Sequence, residues 1–167
     1  FRLTGDLEHL AGFKNREDEQ YFEDFIHFES DHPVFIDVGG FDGFTSSEFI
    51  RKFASYGHVD IIEPEASNFE MCKAAFKNNP KVTVHNIGLG QKSETLRISS
   101  GGSASKVGPA GDQVIQIKTL DSLVKEQQHA PDFMKMDIEG YELQALMGSA
   151  ETIKTHKPTL AISIYHH

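Results

Sequence analysis

Cysteine is nearly missing from this chain. Cys72 is the single one in 167 residues, so no internal disulfide can form and a disulfide-framed secreted scaffold is excluded. Cations are scarce too: Lys plus Arg amounts to 16 against 25 for Asp plus Glu, a net charge of −9. That balance disfavours binding along a nucleic-acid backbone, where a surplus of cations must displace counterions. No stretch approaches the roughly 20 apolar residues that cross a bilayer, and Phe1 to Asp6 lacks the pattern of a signal peptide. No internal repeat is visible, and no segment reports a protein-partner surface. These absences lead to the expectation of a soluble, cytoplasmic protein with neither nucleic acid nor membrane as a partner.

What is present suffices for a core. Hydrophobic residues make up 38% and there are 14 glycines, within the globular range, and the length is that of one domain or one domain with an appendage. The chain has no initiating Met and stops at His167, directly after an apolar run, so a continuation is expected. Short apolar runs alternate with stretches of helical spacing, the pattern of an α/β domain with a mainly parallel sheet. Five parallel strands are predicted at 34–38, 59–63, 82–87, 133–137 and 159–164. Helices are predicted from capping boxes at Thr45-Ser46-Ser47-Glu48 and Ser67-Asn68-Phe69-Glu70, and a third over 141–155, weakened by Gly148. Strands at 94–99 and 114–118 flank a Gly/Ser-rich stretch, 99–105, and read as a hairpin-like insertion. Upstream, Tyr21, Phe22, Phe25 and Ile26 lie at helical spacing, which predicts a helix over 17–29 packed on the sheet or its ligand edge. The division expected is an N-terminal helical segment, 1–32, before the main domain, 33–167.

The turn Asp37-Val38-Gly39-Gly40-Phe41-Asp42-Gly43 joins the first strand to the first helix. Glycines there allow positive φ and close ligand approach, and the helix start offers free amides. Glu63 follows Gly43 by twenty residues, the offset of the acid that binds a ribose diol in nucleotide-binding α/β domains. The G-x-G-x-x-G fingerprint is missing, however, and Asp37 and Asp42 bring negative charge to where a pyrophosphate would lie. A ligand with a ribose, no phosphate and cationic groups suits the turn; S-adenosylmethionine has these features.

Lys135-Met136-Asp137-Ile138-Glu139-Gly140-Tyr141-Glu142 is the second constellation. In a sheet ordered three-two-one-four-five, strands one and four meet at the switch point outside which ligands bind, so Asp37 and Asp137 share one rim. Glu63 flanks them on one side and Tyr165-His166-His167 on the other. Asp137 and Glu139 are also placed to cap the following helix, and Glu142 reads as a capping or solvated residue. Among nine histidines, His9, His27, His32, His58, His129 and His156 belong to no motif and read as surface or linker residues. His85 reads as a satisfied core residue, whereas His166 follows a strand end on the rim, where an imidazole can accept a proton. Crowding Asp37, Asp137 and Glu139 raises at least one carboxylate pKa unless a cation sits among them. A divalent ion is compatible with that crowding, but no metal ligand is assigned.

The sequence resembles the FkbM family of S-adenosylmethionine-dependent methyltransferases. The resemblance is carried by the run from Val34 through Asp37-Val38-Gly39-Gly40-Phe41-Asp42-Gly43-Phe44-Thr45, by Ile62-Glu63-Pro64, Gly88-Leu89-Gly90 and Thr119-Leu120-Asp121. It continues through Asp137-Ile138-Glu139-Gly140-Tyr141-Glu142-Leu143 and Leu160 to His166. It implies a three-layer, Rossmann-like class I methyltransferase sheet, mainly parallel, with the family's last strands beyond this chain. It also implies S-adenosylmethionine as cofactor, with S-adenosylhomocysteine as product, and methylation of an oxygen on a sugar or glycan-like small molecule. By position, Asp37, Gly39, Gly40, Asp42 and Gly43 hold the methionine part, Glu63 the ribose and Pro64 the adenine edge. Ser103 and Ala104 border the site, and Asp137, Glu139 and His166 stand at the acceptor side as catalytic candidates. Gly40 and Phe41 depart from the alanine and asparagine common in the family. The alternatives weighed are an NAD-dependent oxidoreductase and a methyltransferase-like domain that binds without turnover.

Overall fold

The structure is a computed structural model that describes residues 20–99, 106–108 and 111–164. Its centre is a five-stranded sheet of β1 (Val34–Val38), β2 (His58–Ile62), β3 (Val82–His85), β8 (Phe133–Met136) and β9 (Thr159–Ile162), ordered β3-β2-β1-β8-β9. Every pairing in it is parallel. This is the three-two-one-four-five order expected from the alternation of elements. The central strands are buried on both faces, and their sequences, VFIDV, HVDII and FMKM, are accordingly apolar runs rather than alternating ones.

Residue parity divides the sheet into two faces. On one, Phe35, Val59, Ile61 and Phe133 pack with Phe22, Phe49, Tyr56 and Cys72, beneath α1 (Phe44–Lys52) and α2 (Ala66–Ala75). Phe35 stacks between Phe49, at 4.6 Å between ring centroids, and Phe133, at 5.4 Å. On the other, Ile36, Val38, Ile62, Met134 and Met136 meet Leu120, Leu123 and Ala145, from α3 (Leu120–Gln127) and α4 (Glu142–Met147). Helices on both faces of a parallel sheet make the three layers.

The hairpin-like insertion is present and larger than expected. β5 (Glu94–Ser99) and β7 (Gln113–Lys118) pair antiparallel, and β4 (Gly88–Leu89) and β6 (Lys106–Val107) extend them into a second sheet ordered β4-β7-β5-β6. Ile98, Ile115 and Ile117 form a buried cluster on it.

Three local expectations are corrected. Residues 20–29 form turns rather than the predicted helix. The Phe22 carbonyl accepts from Lys52 Nζ, and the Ile26 amide donates to Glu23 O at 3.0 Å, so the bond a helix needs between these two residues is diverted. The aromatic spacing instead buries Phe22 and leaves Phe25 76% exposed, while the segment does pack on the sheet. Neither capping box forms. α1 starts on Gly43, left-handed at φ 84, with Asp42 Oδ1 accepting from Phe44 N at 2.9 Å, and α2 starts on Glu65 with no side-chain cap. Finally, the helix over 141–155 is two helices, α4 and α5 (Ala150–His156), broken at Gly148. A Cβ on Gly148 would lie 2.0 Å from Gly90 O, so the chain passes too close to β4 for any side chain. Asp121 then caps α5 by accepting from Thr152 N at 2.8 Å and Glu151 N at 3.2 Å.

Cys72 has no exposure and its thiol donates to Phe41 O at 3.2 Å. Burial first, and then the charges of Asp37, Glu63 and Asp42, push its pKa up to about 12. At pH 8 the thiolate fraction is therefore roughly one in ten thousand. A disulfide reagent at pH 8 should release no chromophore from the native chain and one equivalent after denaturation; rapid native reaction would show that this core is not closed.

Candidate active site

The sheet's switch point lies between β1 and β8, and there the predicted turn is built on a buried ion pair. Asp37 and Lys135 are direct partners in the parallel register of β1 and β8. Both are buried, at 0% and 4% exposure, with Lys135 Nζ 3.1 Å from Asp37 Oδ1. Ser46 Oγ donates to Asp37 Oδ2 at 2.7 Å. The same Nζ donates to Gly39 O at 2.6 Å, while Asp37 Oδ1 accepts no aligned hydrogen bond, so the contact between Nζ and Oδ1 is charge pairing. Lys135 is thus the cation that the acid crowding calls for, and the sequence reading left it unassigned. Strand order and parity together contained the signal, since both residues occupy the same face of adjacent strands.

Gly39 is left-handed, at φ 82, and a Cβ on it would lie 2.1 Å from Asp137 O. Only glycine allows β1 and β8 to leave the sheet so close together. Asp137 N donates to Val38 O at 3.1 Å, and Tyr21 OH donates to Asp137 Oδ2 at 3.0 Å. Tyr21 also covers Lys135, with Nζ 5.6 Å from its ring centroid. The upstream segment therefore reaches the ligand edge, as expected, through a turn.

Above this floor opens a cleft, outside the carboxyl ends of the strands where open α/β sheets bind ligands. The strand ends contribute Gly39, Phe41, Glu63, Pro64, Asp137 and Glu139. The second sheet supplies a facing apolar wall of Leu89, Ile98, Ile115 and Ile117, and Tyr141 and Asn68 complete the lining. The sequence reading did not foresee this wall. Phe41 and Glu139, both lining residues, hold φ of 49 and 57. Non-glycine residues in this region carry strain that surrounding structure must support.

Glu63 is 5% exposed. Its Oε2 accepts from Phe41 N at 2.9 Å, and its Oε1 accepts from Glu65 N at 2.9 Å and Asn68 Nδ2 at 3.5 Å. Desolvation outweighs these bonds and raises its pKa above the ordinary 4.5. The ionised carboxylate is then a cost to the fold that grows as pH rises from 4.5 through the raised value. Oε2, with one donor, keeps a lone pair for a hydroxyl donor, whereas Oε1 already accepts two hydrogen bonds. Burial, with the nearby Glu94 charge second, raises the Tyr141 pKa as well.

The predicted residues divide into three groups. Gly39, Glu63, Pro64, Asp137 and Glu139 line the cleft. Asp37, Gly40, Asp42 and Gly43 do not: Asp37 lies beneath with Lys135, Asp42 is exposed at the start of α1, and Gly40 and Gly43 pack against Ile61 and Phe76. Ser103, Ala104 and His166 fall outside the described residues. Glu142 is buried and not solvated, accepting from Ile138 N at 3.0 Å to brace the loop after β8.

The parallel three-layer sheet and a cleft at its switch point define a Rossmann-like class I methyltransferase fold. Residues 37–167 match the methyltransferase FkbM domain, and the chain belongs to that family. It is similar to a solved methyltransferase FkbM from Methylobacillus flagellatus KT, at 28% identity and a TM-score of 0.77, over 100% of this chain and 42% of that one. It is also similar to PRMT6, at 14% identity and a TM-score of 0.49, over 93% of this chain and 45% of that one. The chain thus spans less than half the length of either structure. No curated protein matches it.

Removing one member of a buried pair strands the other charge, at a cost of about 3–5 kcal/mol. Lys135→Met should lower the unfolding free energy in urea by that amount, and Asp37→Leu combined with Lys135→Met should recover most of the loss. A single-variant cost below about 1 kcal/mol would mean that the two charges are solvated, not paired.

Proposed function

We propose that the domain is an S-adenosylmethionine-dependent methyltransferase acting on a hydroxyl of a sugar or glycan-like small molecule. The observation that carries this reading is the sign of the cleft. Its ionisable carboxylates are Glu63, Asp137 and Glu139, and among the described residues no Lys or Arg lines it. A pyrophosphate finds no countercharge there, whereas a cationic ligand does. Family membership and the missing G-x-G-x-x-G fingerprint support the same choice over a nicotinamide dinucleotide.

The residues fit such a ligand. Glu63 Oε2 retains a lone pair for a ribose hydroxyl, which would offset part of the cost of its buried charge. Pro64 and the isoleucines of the second sheet give an apolar slot for a planar base, and Asp137 and Glu139 face the cationic end. S-adenosylmethionine brings an electrophilic methyl group, and the chain's part is to align an acceptor oxygen with it and to exclude water. Asp137 and Glu139, at the open edge of the cleft, are placed to receive the acceptor's proton as its oxygen becomes a nucleophile. His166 is assigned the same role on the sequence resemblance alone.

Calorimetric titration with S-adenosylmethionine, S-adenosylhomocysteine and NADH, side by side, tests the proposal. The first two should bind and NADH should not, and Glu63→Ala should weaken binding by roughly 10- to 100-fold, the loss of one charge-assisted hydrogen bond at about 1.5–3 kcal/mol. NADH binding alone would establish the oxidoreductase alternative. Binding without methyl transfer to any hydroxyl acceptor by the full-length protein would leave a non-catalytic domain.

A further inference from the structure

On the sheet face opposite Asp37, parity brings His58, Asp60 and Ile62 of β2 beside Thr83 and His85 of β3. Ile62 joins the apolar core. Asp60, although only 2% exposed, is surrounded by imidazoles: His85 Nε2 is 2.7 Å from Oδ1, His129 Nδ1 is 3.0 Å from Oδ2, and His58 Nε2 is 3.7 Å from Oδ1. His58 and His129 lie ring against ring, with centroids 3.7 Å apart, too close for both to be imidazolium without strong repulsion. His129 comes from the loop between α3 and β8, so three separated segments deliver these groups to one point. His58 and His129 are therefore not the surface or linker residues that the sequence suggested.

A buried carboxylate must be paired or bind a cation. One ligand atom each from His58, Asp60 and His129 lies within 4.8 Å of the other two. A tetrahedral zinc ion with bonds of about 2.0–2.1 Å holds its ligand atoms about 3.3 Å apart; His129 Nδ1 lies 3.0 Å from Asp60 Oδ2 and His58 Nε2 3.7 Å from Oδ1, so a rotation of the carboxylate brings both nitrogens onto one oxygen. Two imidazole nitrogens and one carboxylate oxygen suit zinc, whereas magnesium and calcium take oxygen sets. The His129 side chain is 30% exposed, which leaves an entry path and room for water as a fourth ligand.

We infer that His58, Asp60 and His129 form a zinc site that ties the loop after α3 to the edge of the sheet, with His85 holding the second oxygen of Asp60 from outside the ligand set. The site lies on the strands rather than at their carboxyl ends, apart from the cleft, and it stands or falls independently of methyl transfer. Its role is structural, and it requires no redox or group-transfer step.

The test is calorimetric titration of chelator-stripped protein with zinc chloride, together with the melting temperature and the visible spectrum of the cobalt(II) form. One equivalent of zinc should bind and raise the melting temperature, and cobalt(II) should show the intense visible bands of a tetrahedral site. His58→Ala and His129→Ala should each weaken binding at least 100-fold. His85→Ala, outside the ligand set, should weaken it about 10- to 100-fold. Circular dichroism of the metal-free variants checks folding, and His129→Gln replaces His129→Ala if the latter does not fold. Absence of saturable zinc binding would overturn the site, as would binding undiminished in the His58 and His129 variants, which would point to other histidines. Magnesium binding as tight as zinc would also overturn it.

Discussion

The charge pair between Asp37 and Lys135 fixes the arrangement on which the cleft depends. Two adjacent parallel strands carry opposite charges at the same register position, in a layer where their neighbours are Phe35, Phe49 and Phe133. Two well-packed apolar residues would give comparable stability, so what the pair adds is position. Lys135 Nζ holds the Gly39 carbonyl, Asp37 holds Ser46 at the first turn of α1, and Tyr21 lies across the ammonium. The glycine turn, the helix behind it and the upstream segment are thereby referred to one point in the sheet.

Because Lys135 is consumed below the floor, it does not line the cleft above it. Asp137 and Glu139 follow Lys135 in sequence yet face the cleft, while the ammonium points under Gly39. The result is a negative rim over a neutralised base, closed on the far side by isoleucines of the second sheet. An apolar wall lowers the local dielectric and strengthens whatever charge complementarity the rim offers. On the proposed function, selection for a cationic ligand over a phosphate would depend on where one lysine points as much as on the number of acids.

Much of this was legible in the chain. The strands of the main sheet were legible as apolar runs alternating with helical stretches, the pattern of strands buried on both faces. Gly39, Glu63 and Asp137 were legible because a positive φ, an acid after a strand and an acid at the switch point are local signatures. The helix starts failed for an equally local reason: Gly43 in the left-handed region takes the N-cap position, which displaces Thr45 from that role. The aromatic segment at 21–26 has helical spacing, yet its backbone bonds go to Lys52 and Glu23, partners that periodicity cannot reveal. The wall of the cleft was hidden because a hairpin's position relative to a sheet is a tertiary fact.

The polar clusters were hidden for a related reason, and they share a rule. Asp37 and Asp60 each interrupt a strand that is otherwise apolar, one on each face of the same sheet. A carboxylate in such a place is retained only if something offsets its desolvation, and the compensating group must come from an adjacent strand or the layer above. For Asp37 that group is its direct register partner on the adjacent strand, so strand order and parity point to it. For Asp60 the partners are residues 58, 85 and 129, the last from a loop whose path over the sheet depends on where α3 ends, at left-handed Gln128. An interruption in a buried strand therefore marks a group that needs a partner, and the topology decides whether that partner is a lysine beneath a ligand site or a ring of imidazoles.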